Sequence, residues 1–432
     1  MTRPRQKAQD FLEALGLTAA SIDVDALLGG FMSEMKSGLS GPASSLAMIP
    51  TFIPIDSPVP AGAPVIVLDA GGTHLRAATV VFDEEGRAET QDFSRYRMPG
   101  ADGELSADAF FNRFVDILLP LAQRSDRVGF CFSYPAEITP EGDGRLLTWT
   151  KEIRAPEVEG SYIGRSIGDR LKAKGIDLKF TLLNDTVAVL LAGRSLARGR
   201  EFGSYVGFIL GTGTNTAYVE LNRRITKRDD LPHRGGQAIN IESGNFVLCP
   251  QTEIDRALDA GTNNPGEYTF EKMVSGAYLG RLSLRLLKAA ADEGLFSPDG
   301  GSAIRQVSRL STAQADRFLK EPRGAGPLGR PALTGGDREE AGTLIAAVIE
   351  RAALLAAVNI AAAVLKSGAG RSPHRPVCVN IDGSTYYKTS GLQRRTEQHL
   401  RDILGARSVF FEPVQLADSP LVGAAVAGLT HA

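Results

Sequence analysis

Apolar positions near the start of the chain recur at helical spacing. Phe11, Leu12, Leu15, Leu27, Leu28, Phe31 and Met32 predict one or two helices over residues 6–38. Residues 50–64, rich in proline and glycine, read as a linker. Beyond them the apolar runs shorten to strand length. Residues 65–68 and 76–82 predict two strands joined by Ala70-Gly71-Gly72-Thr73, a hairpin with a glycine elbow. The same plan returns at 205–210 and 216–221 around Gly211-Thr212-Gly213-Thr214, which points to a duplicated lobe. Between the two copies, 108–121 and 187–197 read as helices, and 128–132 and 180–183 as strands. Strands alternating with helices indicate an α/β fold with mixed sheets. Residues 320–338 read as a surface loop. The alanine-rich stretch 344–365 carries Glu350, Arg351 and Asn359, which suits a buried helix better than a membrane span.

Length adds a second lobe to this picture. At 432 residues the chain exceeds the roughly 250–300 residues over which one core keeps growing, so two lobes with a cleft between them are expected. Charge is nearly balanced, with 48 basic and 50 acidic side chains, and gives no electrostatic reason to expect nucleic acid or a membrane as partner. The three cysteines, Cys131, Cys249 and Cys378, are too few and too scattered for a disulfide framework or a zinc site. With no apolar run in the first ten residues, a cytoplasmic location is expected.

The candidate chemistry lies at the two glycine-threonine turns. Glycine lets a backbone approach an anion closely, so that peptide N–H groups and threonine hydroxyls can donate to phosphate oxygens. Asn184-Asp185-Thr186 stands between the turns. Taken alone, Asp185 is as well explained by a helix N-cap as by a general base that accepts a hydroxyl proton during phosphoryl transfer. Asp69 is open in the same way, between capping its own turn and serving magnesium through water. Thr73 and Arg76 are within reach of phosphate, although Arg76 also reads as a solvated strand residue. Ser133, Thr150 and Lys151 are suitable types for sugar hydroxyls, and Glu242 and Glu271 add carboxylates that also fit a strand edge and a helix surface. No P-loop, Rossmann, metallohydrolase or serine-hydrolase signature is present.

In this order the motifs resemble the eukaryotic-type hexokinase family of the actin-like sugar kinase superfamily. The series runs Phe31-Met32-Ser33-Glu34-Met35-Lys36-Ser37-Gly38-Leu39, Met48-Ile49-Pro50-Thr51-Phe52, Leu68-Asp69-Ala70-Gly71-Gly72-Thr73, Phe132-Ser133-Tyr134-Pro135 and Trp149-Thr150-Lys151. It continues through Asn184-Asp185-Thr186, Leu210-Gly211-Thr212-Gly213-Thr214-Asn215, Asn240-Ile241-Glu242, Phe270-Glu271-Lys272-Met273 and Asp382-Gly383-Ser384. The resemblance implies a two-lobed actin-like ATPase (ribonuclease H-like) fold that closes over a hexose, with ATP and magnesium entering from the cleft mouth. It makes Asp185 the base on the 6-hydroxyl and places Ser133, Thr150, Lys151, Asn184, Asn215, Glu242 and Glu271 around the sugar. Asp69, Gly71, Gly72 and Thr73, with Arg76, match the first phosphate segment. Gly211, Thr212, Gly213 and Thr214 match the second, and Gly383 and Ser384 the adenosine-side loop. Asp69 and Asp185 would serve Mg2+ through water.

The resemblance also implies a small lobe of residues 61–183 plus 419–432 and a large lobe of 1–60 plus 184–418. Two departures stand beside the ligand segments: His74 where the family has asparagine, and Ser243-Gly244-Asn245-Phe246 where it has tryptophan-glycine-alanine-phenylalanine. They motivate an alternative, a catalytically weak sugar sensor that works by lobe closure. A sugar-independent actin-like ATPase would leave Trp149-Thr150-Lys151 and Glu242 unexplained. The sequence does not choose the hexose or the oligomeric state.

Overall fold

The computed structural model describes residues 4–149, 153–196 and 200–431. Two helices open the chain, Pro4–Ala14 and Val24–Ser40, as the apolar spacing predicts. The second is capped by Asp23, whose carboxylate accepts from the Ala26 amide at 2.9 Å. Its buried stripe includes Leu27, Leu28, Phe31, Met35 and Leu39.

Strand β1 (Ile49–Pro54) follows, and then β2 (Val65–Ala70), β3 (His74–Phe82), β4 (Ala88–Arg97) and β5 (Arg127–Phe132). A small hairpin, β6 (Ala136–Ile138) with β7 (Gly144–Leu146), precedes β8 (Lys179–Leu183). The last five strands are β9 (Ser204–Leu210), β10 (Thr214–Leu221), β11 (Gly236–Asn240), β12 (Val377–Asp382) and β13 (Phe411–Val414). Strands β4-β3-β2-β5-β8 form one sheet, and β1-β11-β10-β9-β12-β13 form another. Setting β1 aside, the two sheets share one plan. Three antiparallel strands meander and two more lie parallel beside the first of them. The duplication suggested by the repeated glycine turn is therefore present in the pairing of the strands.

Each sheet hands a helix to the other. The helix Asp185–Ser195 leaves β8 and packs against β9, β10 and β12, while Ser419–Thr430 leaves β13 and packs against β2, β5 and β8. The two helices also pack on one another. Val187, Leu190 and Leu191 of the first, and Leu421, Ala424 and Val426 of the second, are buried in one apolar cluster between the sheets. Their fit is close. A Cβ on Gly207 of β9 would sit 2.5 Å from both the Thr186 carbonyl and the Leu190 amide nitrogen, so only glycine lets this strand approach the helix that begins at Asp185.

The alanine-rich stretch forms the interior of one 33-residue helix, Gly335–Ser367, which lies mostly buried. It carries Arg351, 1 % exposed, in an ion pair with Asp255 at 2.6 Å.

Two expectations need correction, and one strand has no counterpart in the sequence reading. Residues 50–54, the first part of the expected linker, belong instead to the edge strand β1, paired with β11. An edge tolerates Pro50 and Pro54, which a central strand would not, and the pairing register shifts between them. The exposed strand β4 has no period-2 apolar signal, since its positions are nearly all solvent-facing, and pattern reading passes over it. The loop expected over 320–338 is shorter. Thr334 and Asp337 form a capping box, so Gly335 to Arg338 are already the first turn of the long helix.

Candidate active site

Asp185 occupies the first helical position after β8. Asn184, not Asp185, caps this helix, its side-chain oxygen accepting from the Thr186 amide at 2.8 Å. Among the described residues, the Asp185 carboxylate accepts only a 3.3 Å contact from the Thr186 hydroxyl. The capping explanation for Asp185 therefore fails, and its carboxylate is left at the end of β8.

Asp69 is similarly released from its structural alternative. The first glycine turn is closed by its own backbone, Gly71 N–H donating to the His74 carbonyl at 3.0 Å. The Tyr134 hydroxyl donates to the Gly71 carbonyl at 2.6 Å. The Asp69 carboxylate instead accepts from Arg76 at 2.7 Å. Arg76 also donates to Asp418 at 2.8 Å, so it is an ion-paired cation and not the solvated strand residue that its position allowed. Burial pushes the Asp69 carboxyl above the usual carboxylate range, Arg76 pulls it back, and the Asp185 charge adds to the rise. The same two carboxylates, with burial as the larger cause, raise the Cys131 thiol at the end of β5. Thr73 is exposed on the turn and its carbonyl accepts from Met98 N–H at 3.0 Å. His74 lies next to it at the start of β3. Desolvation, and then Arg95 and Arg97 of β4, hold its imidazole below the usual value.

The second glycine turn joins β9 to β10 and is tied on three sides. The Gly211 carbonyl accepts from Gly276 N–H at 2.9 Å and from the Thr385 hydroxyl at 2.8 Å, and the Thr212 carbonyl accepts from Ala277 N–H at 3.1 Å. Thr214 N–H donates to Glu271 Oε2 at 3.0 Å. Gly383, at φ +118°, lies against this turn. A Cβ there would fall 2.3 Å from the Leu210 carbonyl, which no side chain could occupy. Ser384 is exposed and opens a short helix, Ser384–Lys388. The segment matched to the adenosine side is thus packed directly on the second phosphate segment.

The sugar-type residues converge through a chain of amides. Asn215 Nδ2 donates to Asn240 Oδ1 at 2.7 Å, and Asn240 Nδ2 donates to Glu242 Oε1 at 2.7 Å. Glu242 holds a left-handed backbone, φ +59°, an uncommon state for a residue with a Cβ that clusters at functional sites. Burial raises the Glu242 carboxyl, with the Asp185 and Glu271 charges adding to it, and burial also raises Glu271. Ser133 lies half-buried after β5, with its N–H on the Ala70 carbonyl at 3.2 Å. Thr150 and Lys151 lie outside the described residues. Trp149 before them is held by its indole N–H on the Ala155 carbonyl at 2.7 Å.

Several residues of this site carry no assignment from sequence. Asn240 sits inside a quoted motif and was legible as a polar residue two before Glu242. Asp418 has no sequence signal, because its left-handed conformation alone aims it at Arg76. Ser243, at the tryptophan departure, is fully buried. Its N–H donates to Asn215 Oδ1 at 3.2 Å, its hydroxyl bonds with that of Thr216 at 3.1 Å, and it accepts from Asn359 Nδ2 at 3.1 Å. The phenylalanine of the same segment, Phe246, stacks on Phe31 at 3.6 Å, so the opening helix supports the loop after Glu242.

Two sheets of one plan, exchanged helices and a glycine turn at each inner hairpin define an actin-like sugar kinase fold. Comparisons carry this to a family. Two family models, both described as hexokinase, match residues 7–195 and 205–430. Hexokinase-2 of Oryza sativa subsp. japonica is 32% identical, over 92% of this chain and 86% of its own length. Hexokinase-1 of Schizosaccharomyces pombe is 30% identical, over 87% of this chain and 80% of its own. The solved hexokinase from Schistosoma mansoni, complexed with glucose, superposes with TM-score 0.74 at 24% identity, covering 99% of this chain and 98% of its own. The chain belongs to the hexokinase family.

Proposed function

We propose that this chain transfers the γ-phosphoryl group of ATP to the 6-hydroxyl of a hexose, with glucose the first candidate. The observation that carries the reading is Asp185, a carboxylate freed from capping by Asn184, whose charge acts on both Asp69 and Glu242. Its charge is thus felt both at the turn that would hold phosphates and at the carboxylate that would hold sugar. Asp185 would accept the 6-hydroxyl proton as that oxygen attacks phosphorus. Ser133, Thr150, Lys151, Asn184, Asn215, Glu242 and Glu271 would fix the sugar. The peptide N–H groups and hydroxyls of 71–73 and 211–214 would hold the phosphates, and Gly383 and Ser384 the nucleoside side. The sensor alternative gains nothing from the relatives, and Ser243 and His74 are built into the site without displacing its carboxylates.

Magnesium fits the residues present. Asp69 and Asp185 are oxygen donors, and no group of three or more metal-ligating side chains is found among the described residues. That is the arrangement for an ion held by one or two carboxylates through water and by substrate phosphates. When bound it neutralises charge on the phosphate oxygens. In the same reading the lobes are 61–183 with 419–432, and 1–60 with 184–418, and their closure would keep water, a competing acceptor, from the phosphoryl group. A cytoplasmic location is supported by the three free cysteines.

The test is Asp185→Ala with ADP release followed across glucose, mannose and fructose. Turnover should fall by about 10²–10⁴-fold while hexose binding persists, since proton acceptance and sugar binding rest on different groups. Near-normal turnover would remove Asp185 from its role.

A further inference from the structure

The chain returns from the second sheet to the first at Asp418. Strand β13 ends at Val414, and the helix Ser419–Thr430 that follows packs on β2, β5 and β8. That helix has no slack. A Cβ on its Gly423 would fall 1.8 Å from the Ala188 carbonyl, in the helix that begins at Asp185, so only glycine allows the two helices to meet there. Its first residue is pinned as well. Ser419 is fully buried, and its hydroxyl donates to the Leu416 carbonyl at 2.9 Å and accepts from Asn380 Nδ2 of β12 at 3.1 Å. The same Nδ2 donates to the Val189 carbonyl at 2.7 Å, so one amide of the second sheet holds both exchanged helices.

Asp418 departs from what its position asks. Aspartate is a favoured helix N-cap, yet the Asp418 carboxylate makes no capping bond, and its backbone is left-handed at φ +50°. The side chain is spent instead on Arg76 Nη1, at 2.8 Å. Arg76 stands opposite Asp69 in the register of β2 and β3, and its Nε and Nη2 both converge on Asp69 Oδ2 at 2.7 Å. Two donors on one oxygen leave the planar guanidinium free to swing about that oxygen, and a third donor on Asp418 fixes it. The Asp418 side chain is 61% exposed, so the ion pair adds little to stability. A strained backbone that stability does not repay, beside a phosphate turn, marks a functional position.

We propose that Asp418 is a positioning residue for phosphoryl transfer, holding Arg76, and through it Asp69, in fixed relation to the two exchanged helices. The proposal rests on the kinase reading above. Asp418 touches no reactant, and Arg76 carries its effect to the first phosphate turn.

The experiment compares Asp418→Asn and Asp418→Gly with the wild type by ADP release, by hexose titration of the fluorescence of Trp149, the single tryptophan, and by thermal unfolding. Asparagine and glycine both accept a left-handed backbone, so neither change strains the turn. Both should lower kcat by about two- to fivefold, the scale of one exposed ion pair, with hexose affinity unchanged. Asp418→Gly, which relieves the backbone, should do so without lowering Tm. In an Arg76→Lys background, where a single ammonium cannot bridge both carboxylates, Asp418→Asn should cost nothing further. Unchanged kcat in both variants would overturn the proposal. So would a weakened hexose affinity, a lowered Tm in Asp418→Gly, or a further loss of kcat in the Arg76→Lys background. Absence of hexose-dependent ADP release from the wild type would instead defeat the kinase reading.

Discussion

Replacing Asn359 by leucine tests how the core of the protein holds the sugar. Asn359 is 1 % exposed in the middle of the long helix, and its amide donates to Ser243 Oγ at 3.1 Å. Ser243 donates its N–H to Asn215 Oδ1 at 3.2 Å, Asn215 donates to Asn240, and Asn240 donates to Glu242. Leucine nearly conserves the volume and removes the first donor. Leaving a buried group wholly unsatisfied costs about 1–3 kcal/mol, but the Ser243 hydroxyl keeps its 3.1 Å bond with Thr216, so about 1 kcal/mol is expected. For a chain this long, that shifts Tm by only about 1 °C. If the same free energy is expressed at Asn215, KM for the hexose rises about fivefold.

The assay is steady-state ADP release against hexose concentration, with KM and kcat separated, alongside thermal unfolding. The expected result is a raised hexose KM with kcat and the KM for ATP unchanged, because the chain of amides leads to Glu242 and not to the phosphate turns. The pair Asn359→Leu and Asn215→Ala should then be non-additive, since both cut one network. A lowered Tm with an unchanged hexose KM would refute the reasoning and reduce Asn359 to a packing residue.

Two further outcomes follow from the buried charges. Arg351→Leu alone should destabilise by about 3–5 kcal/mol in denaturant unfolding, because it strands Asp255 in the core, whereas the double change with Asp255→Leu should recover much of the loss. Asp69, Glu242 and Glu271 all have raised carboxyls, so the native state holds protons more tightly than the unfolded chain, and their contribution makes the sugar-free protein more stable as pH falls toward the ordinary carboxylate range. Glu242→Gln should flatten that slope in a series of Tm against pH. An unchanged slope would deny Glu242 its share.

The sequence was most readable where local pattern and chemistry coincide. The apolar runs at β2, β3, β9 and β10 are bounded by glycine turns, and the two sheets repeat one pairing plan because both hairpins begin from that signal. Asp185 was legible as a candidate but not as a choice between cap and base. That choice needed the backbone, which gives the cap to Asn184. Strand β4 and Asp418 escaped for physical reasons. A solvent-facing edge strand has no buried face to impose alternation, and a left-handed aspartate owes its aim to φ, which residue type does not encode. The tryptophan departure at Ser243 could be seen in the sequence, but its compensation could not, since Asn359 lies 116 residues away and reaches it only through the fold.

The geometry also argues that the sugar and phosphate segments are one unit. Glu271 Oε2 accepts from Thr214 N–H, and a Cβ on Gly213 would fall 2.6 Å from that same oxygen. The carboxylate read as a sugar ligand therefore sets the shape of the second phosphate turn, and glycine at 213 is the condition for its approach. The turn's carbonyls are in turn fixed by Gly276, Ala277 and Thr385, so moving Glu271 would disturb the segments on both sides of Asp185. In the proposed reading, a base at Asp185 that met one oxygen on the sugar and one phosphorus on the donor would gain from this rigidity, because both reactants would be positioned against a single set of hydrogen bonds.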